Sequence, residues 1–291
     1  MKQKTFLPIL AVVSLLGGAL ACNLPVSGSQ PSSPQLAQTP QAQASPAPTT
    51  AQTSAGLPFS YQGVSFTIPQ GLAGAAAGTL MPKVDDQNGA PWEVAPAFIK
   101  IVLQNYSSQN GNSFEPQVLV YPANEYAQVT TYGDAPAQAI KALASISANP
   151  AAALPARLPF LPTFNAGQLF DAQASVIKFR NGGGLRFLTE FGQDYGPVTN
   201  NSMIYTFQGL TGDGKYYIAV IFPAGAPFLD PGGESTPAVP DGGIPFDFNT
   251  GDHADYYKAM SDRLDMTAPE VFSPSLATLD ALVQSIQVVA P

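Results

Sequence analysis

SVIKFRNGGGLRFLTEF (residues 175–191) and MIYTFQGLTGDGKYYIAVIF (residues 203–222) lie close together past the middle of the chain. In each, a run rich in β-branched and aromatic residues breaks at a glycine-rich stretch and then resumes. The break is Asn181, Gly182, Gly183 and Gly184 in the first, and Thr211, Gly212, Asp213 and Gly214 in the second. Such breaks predict two hairpins. Connections this short allow only antiparallel pairing.

More strands are expected upstream. Val64, Phe66 and Ile68 alternate with small or polar residues, FIKIVL (98–103) has the mostly apolar character of a central strand, and QVLVY (117–121) is a further run. Helices flank them. Asp134 stands where an N-cap would, Pro136 falls in the first turn, and Ile140, Leu143 and Ile146 follow at three-residue spacing. A short helical turn is expected over 123–129 and a helix over 253–264. A last helix should open at Ser273-Pro274 and line one face with Leu276, Leu279, Leu282, Val283 and Ile286, with an edge strand at 287–289. The order of elements gives an α+β class: an antiparallel β-sheet with helices packed on it.

The early GVSFTIP (63–69) and the late LDALVQSIQVV (279–289) resemble the start and end of PsbP-like domains. LPFLPTFNAGQLFDAQ (158–173), GLRFLTEF (184–191) and YTFQGLTGDGKYYIAVIFP (205–223) are similar to exported bacterial lipoproteins of that architecture. The resemblance implies an α-β-α sandwich and a non-enzymatic accessory or binding role. It carries over no catalytic residue.

The N-terminus has a different character. Lys2 and Lys4 precede an apolar run over 6–16, and small residues then lead to Cys22, the single cysteine. This is the layout of a secretory signal, too short in its apolar part to span a bilayer. Ala19-Leu20-Ala21-Cys22 resembles the bacterial lipobox, although Leu is commoner at the position of Ala19. The resemblance implies cleavage after Ala21 and lipid on the Cys22 thiol, hence a protein held at the extracytoplasmic side of a cell membrane. Residues 1–21 are then the signal peptide. Residues 22–56 are the lipidated cysteine and a Ser/Pro/Gln/Ala/Thr-rich stalk with too little apolar area to fold. Residues 57–291 form one α+β domain, without a disulfide.

The formal net charge is −8, and ten acids fall between Asp230 and Asp280. A surface so acidic argues against nucleic acid and against direct docking on anionic headgroups. An unidentified envelope protein or polymer is the expected partner, beside the membrane.

Chemistry is sparse. His253 is the sole histidine, so neither a histidine-rich metal site nor a triad is easily assembled around it. It reads as a solvated residue at a helix start. SVIK (175–178) matches S-x-x-K, but on a strand Ser175 and Lys178 face opposite sides. VDDQNGAPWEVA (84–95) has Asp86, Asn88 and Gly89 at EF-hand spacing, with Val84 and Ala95 where carboxylates are needed. No cofactor or metal is implied.

Residues 224–252 are long for a loop of a compact domain. They hold Asp230, Glu234, Asp241, Asp247 and Asp252, with Phe228, Phe246 and Phe248 as anchors. Asp230, Asp241, Asp247, Asp252 and His253 are the candidate loop or ligand site, with a solvated acidic loop as the plain alternative. Glu190 and Asp194 are candidates for paired carboxylates, although Arg186 and Glu190 are explained as well by a salt bridge on a solvated sheet face. Tyr195, Tyr205, Tyr216 and Tyr217 either line a groove or pack within the sheet. The functional expectation is a non-catalytic envelope binding protein. The alternatives are an envelope hydrolase using acids under the loop, and a self-associating surface protein.

Overall fold

The computed structural model describes residues 56–107, 112–131, 133–232 and 239–289. The signal, Cys22, the stalk and Glu234 lie outside the described residues.

The two hairpins form as expected, and their strands carry the sheet. β6 (Gly167–Phe179), β7 (Gly182–Gly192), β8 (Ile204–Thr211) and β9 (Tyr216–Pro223) pair antiparallel in sequence order. β3 (Ala75–Met81), β4 (Phe98–Gln104) and β5 (Gln117–Pro122) extend the sheet, in the order β3-β4-β5-β9-β8-β7-β6. The FIKIVL run is therefore next to an edge, QVLVY and the second hairpin hold the centre, and β6 of the first hairpin forms the other edge. The remaining strands, β1 (Leu57–Tyr61), β2 (Val64–Ile68) and β10 (Gln287–Val288), make a small separate sheet with β2 in the middle.

The first turn is not the glycine run. Phe179 pairs directly with Gly182, so Arg180 and Asn181 turn the chain and the three glycines belong to β7. They are needed there for approach rather than for turning. A Cβ on Gly184 would run into the Gln208 carbonyl of β8, and one on Gly182 would strike the Leu210 carbonyl and the Phe179 ring. The Asn181 side chain is free to do something else. Its amide donates to the Val288 carbonyl and its Oδ1 accepts from the Val288 N–H at 3.1 Å, tying the hairpin tip to β10.

Helices cover both faces of the large sheet. On one side α3 (Ala254–Asp265), α4 (Leu276–Ser285) and the small sheet enclose a core that includes Ile101, Tyr205, Phe207, Val220 and Phe222. Leu276, Leu279, Leu282, Val283 and Ile286 are all fully buried, as their spacing predicts. The Ser275 hydroxyl caps α4 by accepting from the Thr278 N–H at 3.2 Å. On the other side α1 (Ala123–Tyr126), α2 (Ala135–Ala148) and the residues after α2 enclose Leu119, Tyr121, Leu185, Phe187 and Tyr217. Asp134 does stand at the N-cap of α2, but its side chain does not bond the backbone. It accepts instead from Gln138 Nε2 at 2.7 Å. The arrangement is α+β with a helical layer on each face of an antiparallel sheet. No helix among the described residues is long and apolar enough to cross a membrane.

Candidate functional site

A cleft lies in the α2 layer. After α2 the chain runs through 149–166 without regular structure and re-enters the sheet at β6. Phe160 and Phe164 of this segment pack on Phe191 of β7, with ring centroids 4.4 Å and 4.9 Å away. The facing wall is α2, which presents the small residues Ala135, Ala139 and Ala142. Large rings against small side chains leave a cleft of about 470 Å³. That falls among the volumes of about 300–1,000 Å³ in which small-molecule sites are found.

The irregular wall is fixed by polar anchors. The Leu161 N–H donates to Gln208 Oε1 at 3.0 Å, and the Tyr217 hydroxyl donates to the same oxygen. Gln208 Nε2 donates to Thr206 Oγ1 at 2.7 Å, so the buried glutamine serves the segment and the sheet together. Thr163 Oγ1 donates to the Trp92 carbonyl at 3.2 Å. One lining group, Arg157, remains free to meet a ligand. It is exposed, is the one charged residue of the lining, and has no ion-pair partner among the described residues. Gln168 Nε2 is buried and has no partner. No carboxylate, histidine or cysteine lines the cleft, so it is equipped to bind and lacks a general base.

Comparison with family models, curated proteins and solved structures gives no match. The geometry alone therefore speaks for this chain.

The residues singled out from sequence are placed elsewhere. Asp241, Asp247 and Asp252 are exposed, and Asp230 is buried. Among the described residues no three or more of His, Cys, Asp and Glu gather as a metal site would need. Asp252 Oδ1 accepts from the Ala254 N–H at 3.0 Å and serves the start of α3. The Asp247 carboxyl is held below the usual range, first by the backbone and side-chain amides of Asn249 and last by His253. His253 is half-buried rather than solvated, its ring stacked on Phe246 at 4.5 Å and packed near exposed Tyr195. Phe228 and Phe246 do pin the loop, while Phe248 is exposed. Asp194 is exposed and apart from Glu190's buried setting. The stretch from Val84 to Ala95 closes through an antiparallel bridge between those two residues, and Asp85 rather than Asp86 organises its turn.

The solvated Arg186–Glu190 bridge is wrong. Both residues are buried, because α3 and α4 cover the face that they share. Arg186 pairs instead with Asp280 of α4 at 3.2 Å, and the Tyr205 hydroxyl donates to the same carboxylate at 2.8 Å. Glu190 takes hydrogen bonds from the Ser202 hydroxyl and the Thr199 N–H, leaving Oε2 without a partner. Burial pushes its pKa up to about 7, against the pull of those two bonds. Burial likewise pushes the Tyr256 phenol to about 12, with the charges of Glu190 and Asp230 adding to it. The void lined by Tyr256 and Asp230 measures only about 20 Å³, room for one water. The four tyrosines form no common groove. Tyr205 and Tyr217 are fully buried on opposite faces, Tyr216 is half-buried and Tyr195 is exposed.

The cleft was missed from sequence. The one signal for it was the run 149–166, long, aromatic and proline-rich between a helix and a strand. Such unpatterned length often marks function.

Proposed function

We propose that this chain is a lipid-anchored envelope protein, tethered through Cys22, that binds a small ligand and catalyses no reaction. The cleft beneath α2 carries the binding half of this reading: it is open, aromatic, anchored through Gln208 and Thr163, and lined by one unpaired cation but no base. The lipobox supports the tether, and the PsbP-like resemblance implies an accessory role. Metabolic labelling with a palmitate analogue should mark the wild type in its membrane, and Cys22→Ser should lose label and retention together. Retention without label would overturn the anchor. Native mass spectrometry of protein drawn from its own envelope should show bound small-molecule mass, removed by Ala142→Phe. An apo mass under every gentle extraction would overturn the binding role.

One observation favours the rival hydrolase under residues 224–252: a buried Glu190 poised near neutrality beside Ser202. The void under this loop, lined by Asp230 and Tyr256, has room for one water, and Glu190 is not in its lining. Turnover of chromogenic glycosides or esters that disappears in Glu190→Gln would establish that rival. No turnover, or turnover indifferent to the change, removes it.

A further inference from the structure

The chemistry of the cleft is specific enough to name a ligand class. Its body is apolar, supplied by Phe160, Phe164 and Phe191. Its single charged lining group is Arg157, exposed and unpaired in a chain of net charge −8. General electrostatics would repel anions from such a protein. A lone unpaired guanidinium at an apolar cleft is the arrangement that overcomes this locally, since its fork matches a carboxylate or phosphate.

We infer that the cleft binds an anionic amphiphile: an apolar chain on the three phenylalanines and an anionic head paired with Arg157. The inference rests on the binding reading above and adds the ligand's chemistry to it. Gln138 gives one amide N–H to the Asp134 carboxylate, and Arg157 is the one charged donor of the lining. Cations find no carboxylate in the lining.

Isothermal titration of the full chain carrying Cys22→Ser, in detergent-free buffer and with probes below their micelle concentrations, tests it. The probes are N-lauroylglycine, its neutral amide and dodecyltrimethylammonium. N-lauroylglycine should bind saturably and about tenfold more tightly than the amide, the worth of one charge-assisted pair. Arg157→Gln should erase that preference while leaving the neutral amide unchanged. Ala142→Phe should abolish binding with an unchanged melting temperature. If the amide or the ammonium binds as well as the anion and Ala142→Phe still blocks it, the cleft is a binding site and the anionic class is wrong. If no probe binds, the inference falls, and the mass measurement on envelope-derived protein then decides whether the binding reading falls with it.

Discussion

Glu190 is a carboxylate whose protonation the fold controls through burial. Its carboxyl titrates near 7 in the native protein against 4.5 in an unperturbed chain, because burial disfavours the charged form. The native state therefore holds the proton between those values while the unfolded state has lost it. Stability is greatest below about 4.5 as far as this group is concerned, falls as pH rises through the window, and levels off above 7. The full change is on the order of 3 kcal/mol. Urea unfolding of the wild type at pH 5 and pH 8 should show this decline, and Glu190→Gln should flatten it by raising the stability at pH 8. A wild type equally stable at both pH values would show that Glu190 is not buried as a charge. The strand period placed Arg186 and Glu190 on one face from sequence alone. What covers that face was not legible, because α3 and α4 come from residues 254–285 and meet β7 only in three dimensions.

Elements with a strong period were legible one by one. α2 and α4 repeat apolar residues at helical spacing, and β2, β4, β5, β8 and β9 are rich in β-branched or aromatic residues. β3, AAAGTLM, escaped notice because Thr79 is its single β-branched residue and it has no aromatic one, and it is held as a strand by pairing along its whole length with β4. The glycines of the first hairpin show a second kind of loss. Composition marks them as a turn, whereas strand-to-strand distance makes them part of β7. This has a sharp consequence within three residues. Gly184→Ala would push a methyl into the Gln208 carbonyl and Gly209 Cα, backbone atoms that cannot swing aside. Gly183→Ala meets its nearest neighbour, the Ile177 carbonyl, at an ordinary 3.5 Å. The first change should cost about 1–3 kcal/mol and lower the melting temperature, and the second should leave it close to wild type. Equal melting temperatures for the two variants would place the glycines in a loose turn after all.

For the molecule as a whole, function follows from how the layers meet. The cleft draws on α2, an irregular segment and the paired strands β6 and β7, so no contiguous motif describes it. Its volume arises because alanines on one wall face phenylalanines on another, a property of tertiary packing that periodicity does not encode. What the sequence does contain is the device that keeps the irregular wall in place. Gln208 is fully buried in the central sheet, and its Oε1 receives both the Leu161 N–H and the Tyr217 hydroxyl. Gln208→Leu preserves volume approximately but strands two buried donors. The expected cost is about 1–3 kcal/mol for each donor left without a partner or exposed by local opening. The loss should be felt first where backbone holds fewest other bonds, in the segment rather than in the sheet. Hydrogen exchange should then show rapid labelling at Leu161 while amides of β8 and β9 stay protected, and N-lauroylglycine affinity should fall in step. Uniform loss of protection across the sheet would instead make the segment part of one cooperative core. Retained protection at Leu161 would mean that the aromatic cluster of Phe160, Phe164 and Phe191 holds the wall without Gln208.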